Sequence, residues 1–344
     1  PQQAQGWRPL GTPGWRTEPV DTRQPHRWIH PDGSGRFVDV FFFDPGRSKA
    51  VAFGGASNTS QAFADLMDVH ERGVSIIATD GETYGHHAVC GDRTLAHVFE
   101  VEGPRRGIRF TNFAAYLREH PPAREVQLAL GERGLGTSWS CVHGVGRWAR
   151  DCGCSTGGGP GEHQRWRAPL RTALAELRTQ LHRSYEEQAI DLLADPWSCR
   201  DAYVEAMDLG PEPFATWLEP HARRRLDGEA QIRVRTLLEM ERYALLMMTS
   251  CAWFFHDVSG IETARVLAYA GRAIDYARDL GREDLEGPFV AALEDAQGYL
   301  QQSAAQVYGS TLARERVTPS RAAAQLSIHA LTEAPAHSGR FGGF

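Results

Sequence analysis

From Ala168 onward the chain is rich in Ala, Leu, Arg and Glu at helical spacing, and such a stretch can bury its apolar stripes only by packing helix on helix. The spacing predicts helices over 168–194, 198–209, 212–226, 228–257, 260–280, 285–309 and 320–333, with Pro211, Gly281 and Pro288 marking breaks. A helical bundle over 168–333 follows, and the Gly- and Pro-containing tail 334–344 is expected to fray.

The first part of the chain obeys a different rule. Arg27–His30 and Arg36–Phe43 are β-prone runs either side of Pro31-Asp32-Gly33-Ser34-Gly35, a hairpin pattern. Helical spacing over 58–72 precedes Gly73–Ala78, a short apolar run with the composition of a buried strand. Helices at 94–100 and 111–120 and a strand at 124–130 continue the alternation. Residues 6–27 show no period and read as a connector. The pattern predicts an α/β segment with three or four strands, too few to close a barrel, followed by an all-α part. Between them, 131–161 is period-free and loaded with Gly, Cys, Trp, Ser and His, a composition that points to a functional loop rather than to disorder.

Composition narrows the functional classes. With 42% hydrophobic residues in 344, the chain can bury a sizeable core. A formal charge of −6 argues against a nucleic-acid binder, which needs a basic face. No apolar run is long enough to span a membrane, and no secretory signal is visible. Six irregularly spaced cysteines do not form a disulfide framework, so a reducing cytoplasm is the expected compartment. Gly157-Gly158-Gly159-Pro160-Gly161 lacks the Lys-Ser/Thr ending of a phosphate-binding loop.

The stretch Thr79-Asp80-Gly81-Glu82-Thr83-Tyr84-Gly85-His86-His87 stands out, because an apolar run ends in two carboxylates, two imidazoles and two glycines. In α/β architectures the carboxyl end of a strand is where chemistry sits. The plainer alternative is that Asp80 and Glu82 cap a helix and the histidines are merely exposed.

Asp80-Gly81-Glu82 with Gly85-His86-His87 resembles the acid/base motif of glycoside hydrolase family 57, retaining α-glucan enzymes on an incomplete (β/α) barrel. Thr137–Trp148 and Thr249–Thr263 are similar to the branch of that family carrying the domain of unknown function 3536. The resemblance runs from about Arg27 to the last helices. It implies that 1–130 is the C-terminal part of a barrel, 131–167 a Gly/Cys/Trp-rich cleft loop and 168–333 the bundle. It further implies an oligo- or polysaccharide substrate of α-glucan type, no cofactor, and Asp80 as general acid/base at a raised pKa. Glu82 would play a supporting role, orienting a sugar hydroxyl or His86, and His86 and His87 would lie in the substrate-binding set with it. Trp139 and Trp148 would stack on sugar rings, with His143 nearby.

Trp253 matches the residue with which a bundle segment reaches over the barrel mouth, although Ala252 stands where relatives carry an acid. Asp257 could replace that acid; an aromatic patch packing the bundle is the alternative. Ser259 and Glu262 have the spacing of a capping box.

A retaining mechanism needs a second carboxylate close to the first. The family's nucleophile motif, which precedes the acid/base, is absent here. Glu18 lacks the expected setting, and Glu219 lies in the helical part. The expectation is therefore a piece of a longer enzyme, hydrolytically weak or dead by itself.

Two further classes stay open: a metal-dependent, deacetylase-like polysaccharide hydrolase using Asp80 and the two histidines, and a non-catalytic carbohydrate-binding protein. Cys141, His143, Cys152 and Cys154 have the chemistry of a Cys3His zinc site. The one-residue gap between Cys152 and Cys154 is tighter than the usual two to four, so ordinary reduced thiols and no metal are the preferred expectation.

Overall fold

The computed structural model describes residues 3–67, 73–282 and 284–332. The expected end of the 58–72 helix, residue 333 and the 334–344 tail fall outside these in whole or part. The chain divides into two compact units, Pro1–Ser138 and Trp139–Phe344.

The first unit holds a mixed sheet of β1 (Ala4–Pro9), β2 (His26–Ile29), β3 (Phe37–Val40) and β4 (Arg124–Leu128), in the order β1-β4-β2-β3. The predicted hairpin forms, with Trp28 opposite Val38 and the Arg27 guanidinium holding both Asp39 oxygens at 2.8 and 3.0 Å. β1 pairs antiparallel to β4, whereas β2 and β4 run parallel. Two expectations are corrected here. Residues 4–9 form a strand rather than a loose start, because their amides and carbonyls complete the edge of β4. Gly73–Ala78 joins no ladder: Val74 N–H donates to the Arg23 carbonyl, the Ile76 carbonyl accepts from Asp44 N–H, and Ala78 N–H donates to Ser48 Oγ. The sheet is mixed rather than a row of parallel barrel strands.

Around the sheet lie α1 (Pro45–Ala52), α2 (Ser60–Asp65), α3 (Gly91–His97) and α4 (Phe113–Glu119). Asp44, Thr59 and Asn112 cap α1, α2 and α4 by accepting amide hydrogen bonds. The apolar contents form two small clusters, one on Val20, Phe42 and Val126, the other on Val51, Phe63 and Val98.

The second unit is built from α5 (Arg167–Ala189), α6 (Pro196–Ala202), α7 (Pro211–Leu218), α8 (Gly228–Leu246), α9 (Ile261–Asp279), α10 (Glu286–Leu293), α11 (Ala304–Glu315) and α12 (Pro319–Thr332). Leu170, Leu174, Leu177, Leu181 and Tyr185 recur every three to four residues along α5 and are all buried. They join α8, α9 and α11 in one continuous core. At Gly271 of α9 a Cβ would come within 2.6 Å of Leu312 Cδ2 on α11, so the glycine permits the close approach. A carboxylate is buried inside this core: Glu241 is sealed from solvent and meets His182 Nδ1 at 2.8 Å.

Three bundle expectations change. The 228–257 helix ends at Leu246, and a short turn, Ser250–Trp253, follows. The 285–309 helix is two, α10 and α11, with Gln301 at φ 64° between them and Pro288 inside the first turn of α10 rather than at a break. Ser259 does not cap α9, because its hydroxyl donates to Asp257 Oδ1 at 2.7 Å; the capping box belongs instead to Ser303 and Gln306 on α11.

His26 gives the first unit a pH dependence. Its ring is fully buried against Phe42, and among the described residues neither ring nitrogen meets a well-formed hydrogen-bond partner, the Gln24 backbone interacting only weakly. Burial, and then the charge of Arg124, hold its pKa below the ordinary 6.5. The unfolded chain therefore binds a proton that the folded unit refuses. The contribution is complete above about pH 6.5 and is lost as the pH falls from there toward the lowered folded value. Urea midpoints should drop on acidification from neutral pH, and His26→Phe should flatten that part of the dependence whatever it does to the absolute midpoint. Parallel curves for the two proteins would count against this role.

Candidate functional site

The Thr79–His87 loop is held from inside by its neutral residues. Asp80 is extended (φ −64°, ψ 145°) and opens the turn Gly81–Thr83 without a side-chain capping bond. The backbone closes the loop: Thr83 N–H donates to the Asp80 carbonyl, and the amides of His86 and His87 both donate to the Glu82 carbonyl, at 3.1 and 3.0 Å. Gly85, at φ 137°, takes the bend that a side chain would strain. Thr83 is buried, and Tyr84 packs near Phe63 while accepting from the Thr79 hydroxyl at 3.1 Å. Asp80, Glu82, His86 and His87 are left exposed, so the capping alternative does not describe Asp80.

The two imidazoles meet edge to face at 4.8 Å. Asp80, His86 and His87 are not gathered as a cation cage; among the described residues the one converging group of metal-ligating atoms lies elsewhere. A cavity of about 1210 Å³ adjoins the loop, with Ile77, Thr79, Tyr84, Phe99, Phe110 and Tyr116 among its walls.

In the second unit, the period-free stretch before α5 is folded by tight turns. Gly144 N–H donates to the Cys141 carbonyl at 3.2 Å and Gly146 N–H to the His143 carbonyl at 3.1 Å. Gly153, at φ 80°, turns the chain between Cys152 and Cys154, and its N–H donates to Asp151 Oδ1. The result brings four ligating atoms within 4.8 Å of one another. Cys141 Sγ lies 3.8 Å from each of the other two sulfurs and 3.9 Å from His143 Nδ1, which is 3.4 Å from Cys154 Sγ. All three are free thiols. The thiols are reduced and partly buried, as expected, and they also converge, since a left-handed glycine folds both sulfurs of a Cys-X-Cys to one side. Burial alone would raise the Cys141 pKa, but hydrogen bonds from the His143 and Arg147 backbone, with the His143 ring and Cys152, bring it down to about 7. Burial pushes Cys152 up.

Two buried guanidiniums flank this cluster. Arg167 Nη1 donates to the Cys154 carbonyl at 2.7 Å and Nη2 to the Phe255 carbonyl at 3.2 Å. Arg147 Nη1 donates to Thr156 Oγ1 at 3.1 Å, and its guanidinium lies 4.4 Å from the Phe254 ring centroid. Sequence reasoning missed both, because an isolated arginine carries no local sign of burial.

The aromatic residues divide by exposure. Trp139 is 56% exposed, whereas Trp148 is half-buried with its indole N–H on the Ser250 carbonyl at 3.0 Å. Trp253 is wholly buried, its N–H on the Arg167 carbonyl at 3.1 Å. No face of Trp253 is open to a sugar, so its assignment to a cleft wall is corrected to core. Asp257 is corrected likewise: it is buried and accepts from Ser259 N–H, Ser259 Oγ and Leu300 N–H.

The architecture defines a class before any name attaches to it: a small mixed sheet with helices, followed by a helical unit. A crystal structure of an exo-type maltose-forming amylase from Pyrococcus sp. ST04 shares it, with a TM-score of 0.54 and 15% identity over 84% of this chain. The present chain spans 57% of that amylase chain. A likeness at this identity speaks for the fold. No curated protein matches the sequence. The family model described as "Domain of unknown function (DUF3536)" matches residues 163–342, more than half of the chain, and the protein belongs to that family.

Exposure and burial of the indoles make a direct test. Trp253→Ala should lower stability by about 3–5 kcal/mol, the range for emptying a buried aromatic site, whereas Trp139→Ala should stay within about 0.5 kcal/mol. Equal thermal shifts for the two variants would contradict the assignment of Trp253 to the core.

Proposed function

We propose that this chain is part of a carbohydrate-active enzyme of the family 57 type, a retaining glycosidase or glucanotransferase acting on α-glucans, with Asp80 as general acid/base. The observation that carries the reading is the shared fold with a maltose-forming amylase over 84% of the chain. The loop at Asp80 supplies the chemistry. Its carboxylate is exposed and makes no capping bond, and Glu82, His86 and His87, exposed on the same loop, are groups suited to sugar hydroxyls.

Protonation of the glycosidic oxygen by Asp80 would be paired with attack by a second carboxylate, for which this chain offers no matched residue. Trp139, 56% exposed, is the candidate ring for sugar stacking in its unit. A partial barrel for the first unit and a reducing, cytoplasmic compartment belong to the same reading; among the described residues no cysteine is in a disulfide and no helix is long and apolar enough to cross a membrane.

Incubation of the natural full-length protein with maltooligosaccharides, amylose and glycogen should release shortened or rearranged glucans. Asp80→Asn should slow that release about 10²–10⁴-fold, the usual contribution of general acid–base catalysis, with sugar binding retained. Full activity in the Asn variant would remove Asp80 from the mechanism. Binding without turnover in both proteins would make this a carbohydrate-binding protein instead.

A further inference from the structure

We propose that Cys141, His143, Cys152 and Cys154 form a closed, structural zinc site. Zinc binds thiolate sulfur at about 2.3 Å and imidazole nitrogen at about 2.0–2.1 Å, in a tetrahedron in structural sites. The edge of a tetrahedron is about 1.6 times the bond, so sulfurs around one zinc stand about 3.8 Å apart and a sulfur and a nitrogen about 3.6 Å apart. The observed sulfur separations from Cys141 are both 3.8 Å, two of the three sulfur–nitrogen distances are 3.9 and 3.4 Å, and the remaining pairs lie within 4.8 Å. Four of the six edges thus have the lengths of a metal cage. A disulfide would draw two sulfurs to about 2.05 Å and leave the third thiol and the imidazole without a reason to converge.

Donor chemistry and charge point the same way. Three thiolates and a neutral imidazole are a soft set suited to zinc. Around a dication they leave one net negative charge. Arg147 and Arg167 bury positive charge beside this cluster and are held by carbonyl and hydroxyl oxygens; Cys152, Asp151 and Cys154 are the groups whose negative charge favours the Arg167 guanidinium, so an anionic centre at the cysteines would offset its burial. Binding releases the thiol protons to solvent and changes no oxidation state. Four protein donors leave no position for water, so the metal would hold structure rather than perform hydrolysis.

What it would hold is the stretch before α5, which carries Trp139 and Trp148 and has no strand ladder to stabilise it. The inference is independent of the glycosidase reading, because its readouts are metal content and order rather than activity.

The untagged full-length protein, purified under reducing conditions, should contain about one zinc per chain by elemental analysis. Stripped protein titrated with Co²⁺ should develop thiolate-to-cobalt charge-transfer and tetrahedral visible bands that saturate at one equivalent. Cys141→Ser with Cys154→Ser should abolish both signals. Cys90→Ser with Cys251→Ser, outside the cluster, should leave them unchanged, and His143→Cys should keep zinc as a four-thiolate site. Removing the metal should expose residues 139–166 to limited proteolysis. Wild-type protein that holds no zinc and gives no cobalt bands would overturn the proposal, as would a disulfide between Cys141 and Cys152 or Cys154 under reducing conditions. Both of these wild-type readouts stand even if a cysteine variant fails to fold.

Discussion

The buried guanidinium of Arg167 ties together three pieces of chain that share no secondary structure. Its two terminal nitrogens donate to the carbonyls of Cys154 and Phe255, and its own carbonyl accepts the indole N–H of Trp253. A guanidinium taken out of water costs several kcal/mol unless its donors are met. Here it supplies donors for carbonyls that no helix or strand would satisfy. The Cys-rich loop, the start of α5 and the turn after α8 are therefore fixed relative to one another by side-chain bonding. Trp253 lies beneath that knot, so its indole is core despite its place in a motif that resembles a sugar-facing one.

Asp257 plays the corresponding part at the far side of the same turn. Its carboxylate accepts the amides of Ser259 and Leu300 and the Ser259 hydroxyl, and a Cβ at Gly298 would stand 2.6 Å from Oδ2. One buried acid thus organises the entry to α9 and the link between α10 and α11. It explains why the 285–309 stretch is interrupted: the backbone at Leu300 is claimed by a carboxylate that packs against Gly298.

What the sequence disclosed follows from this. The bundle was legible because periodic burial along α5, α8 and α9 is written in each helix's own residues. The β2–β3 hairpin was legible because its turn chemistry is local. β1 was hidden, since Ala4–Pro9 has neither alternation nor β-branched residues and becomes a strand only by pairing with β4, more than a hundred positions away. Gly73–Ala78 failed the other way: it has strand composition, but its bonds go to separate loops. The four members of the cysteine cluster were legible as a ligand set, but the short Cys152–Cys154 gap argued against it, because spacing rules count residues whereas convergence depends on the positive φ of Gly153 and the turn at Cys141. Whether a tryptophan is a wall or a core residue is likewise a tertiary fact, as Trp139 and Trp253 show from opposite ends.

The two units also differ in how much burial supports their candidate chemistry. The second has one continuous core spanning its helices, and its cysteine cluster sits against buried arginines and indoles. The first has two small clusters and a large cavity, and its acidic loop is anchored by little more than Thr83, Tyr84 and backbone bonds. Local opening costs least where apolar contacts are few, and substrate-handling loops are drawn from that end of the stability range. An exposed carboxylate on a lightly anchored loop suits a group that must meet a polymer and release it. A set of soft ligands, Cys141 buried and the other three half-buried, in the unit with the continuous core suits a centre that need never open. The same chain thus places its candidate chemistry where motion is cheap and its candidate metal where motion is suppressed.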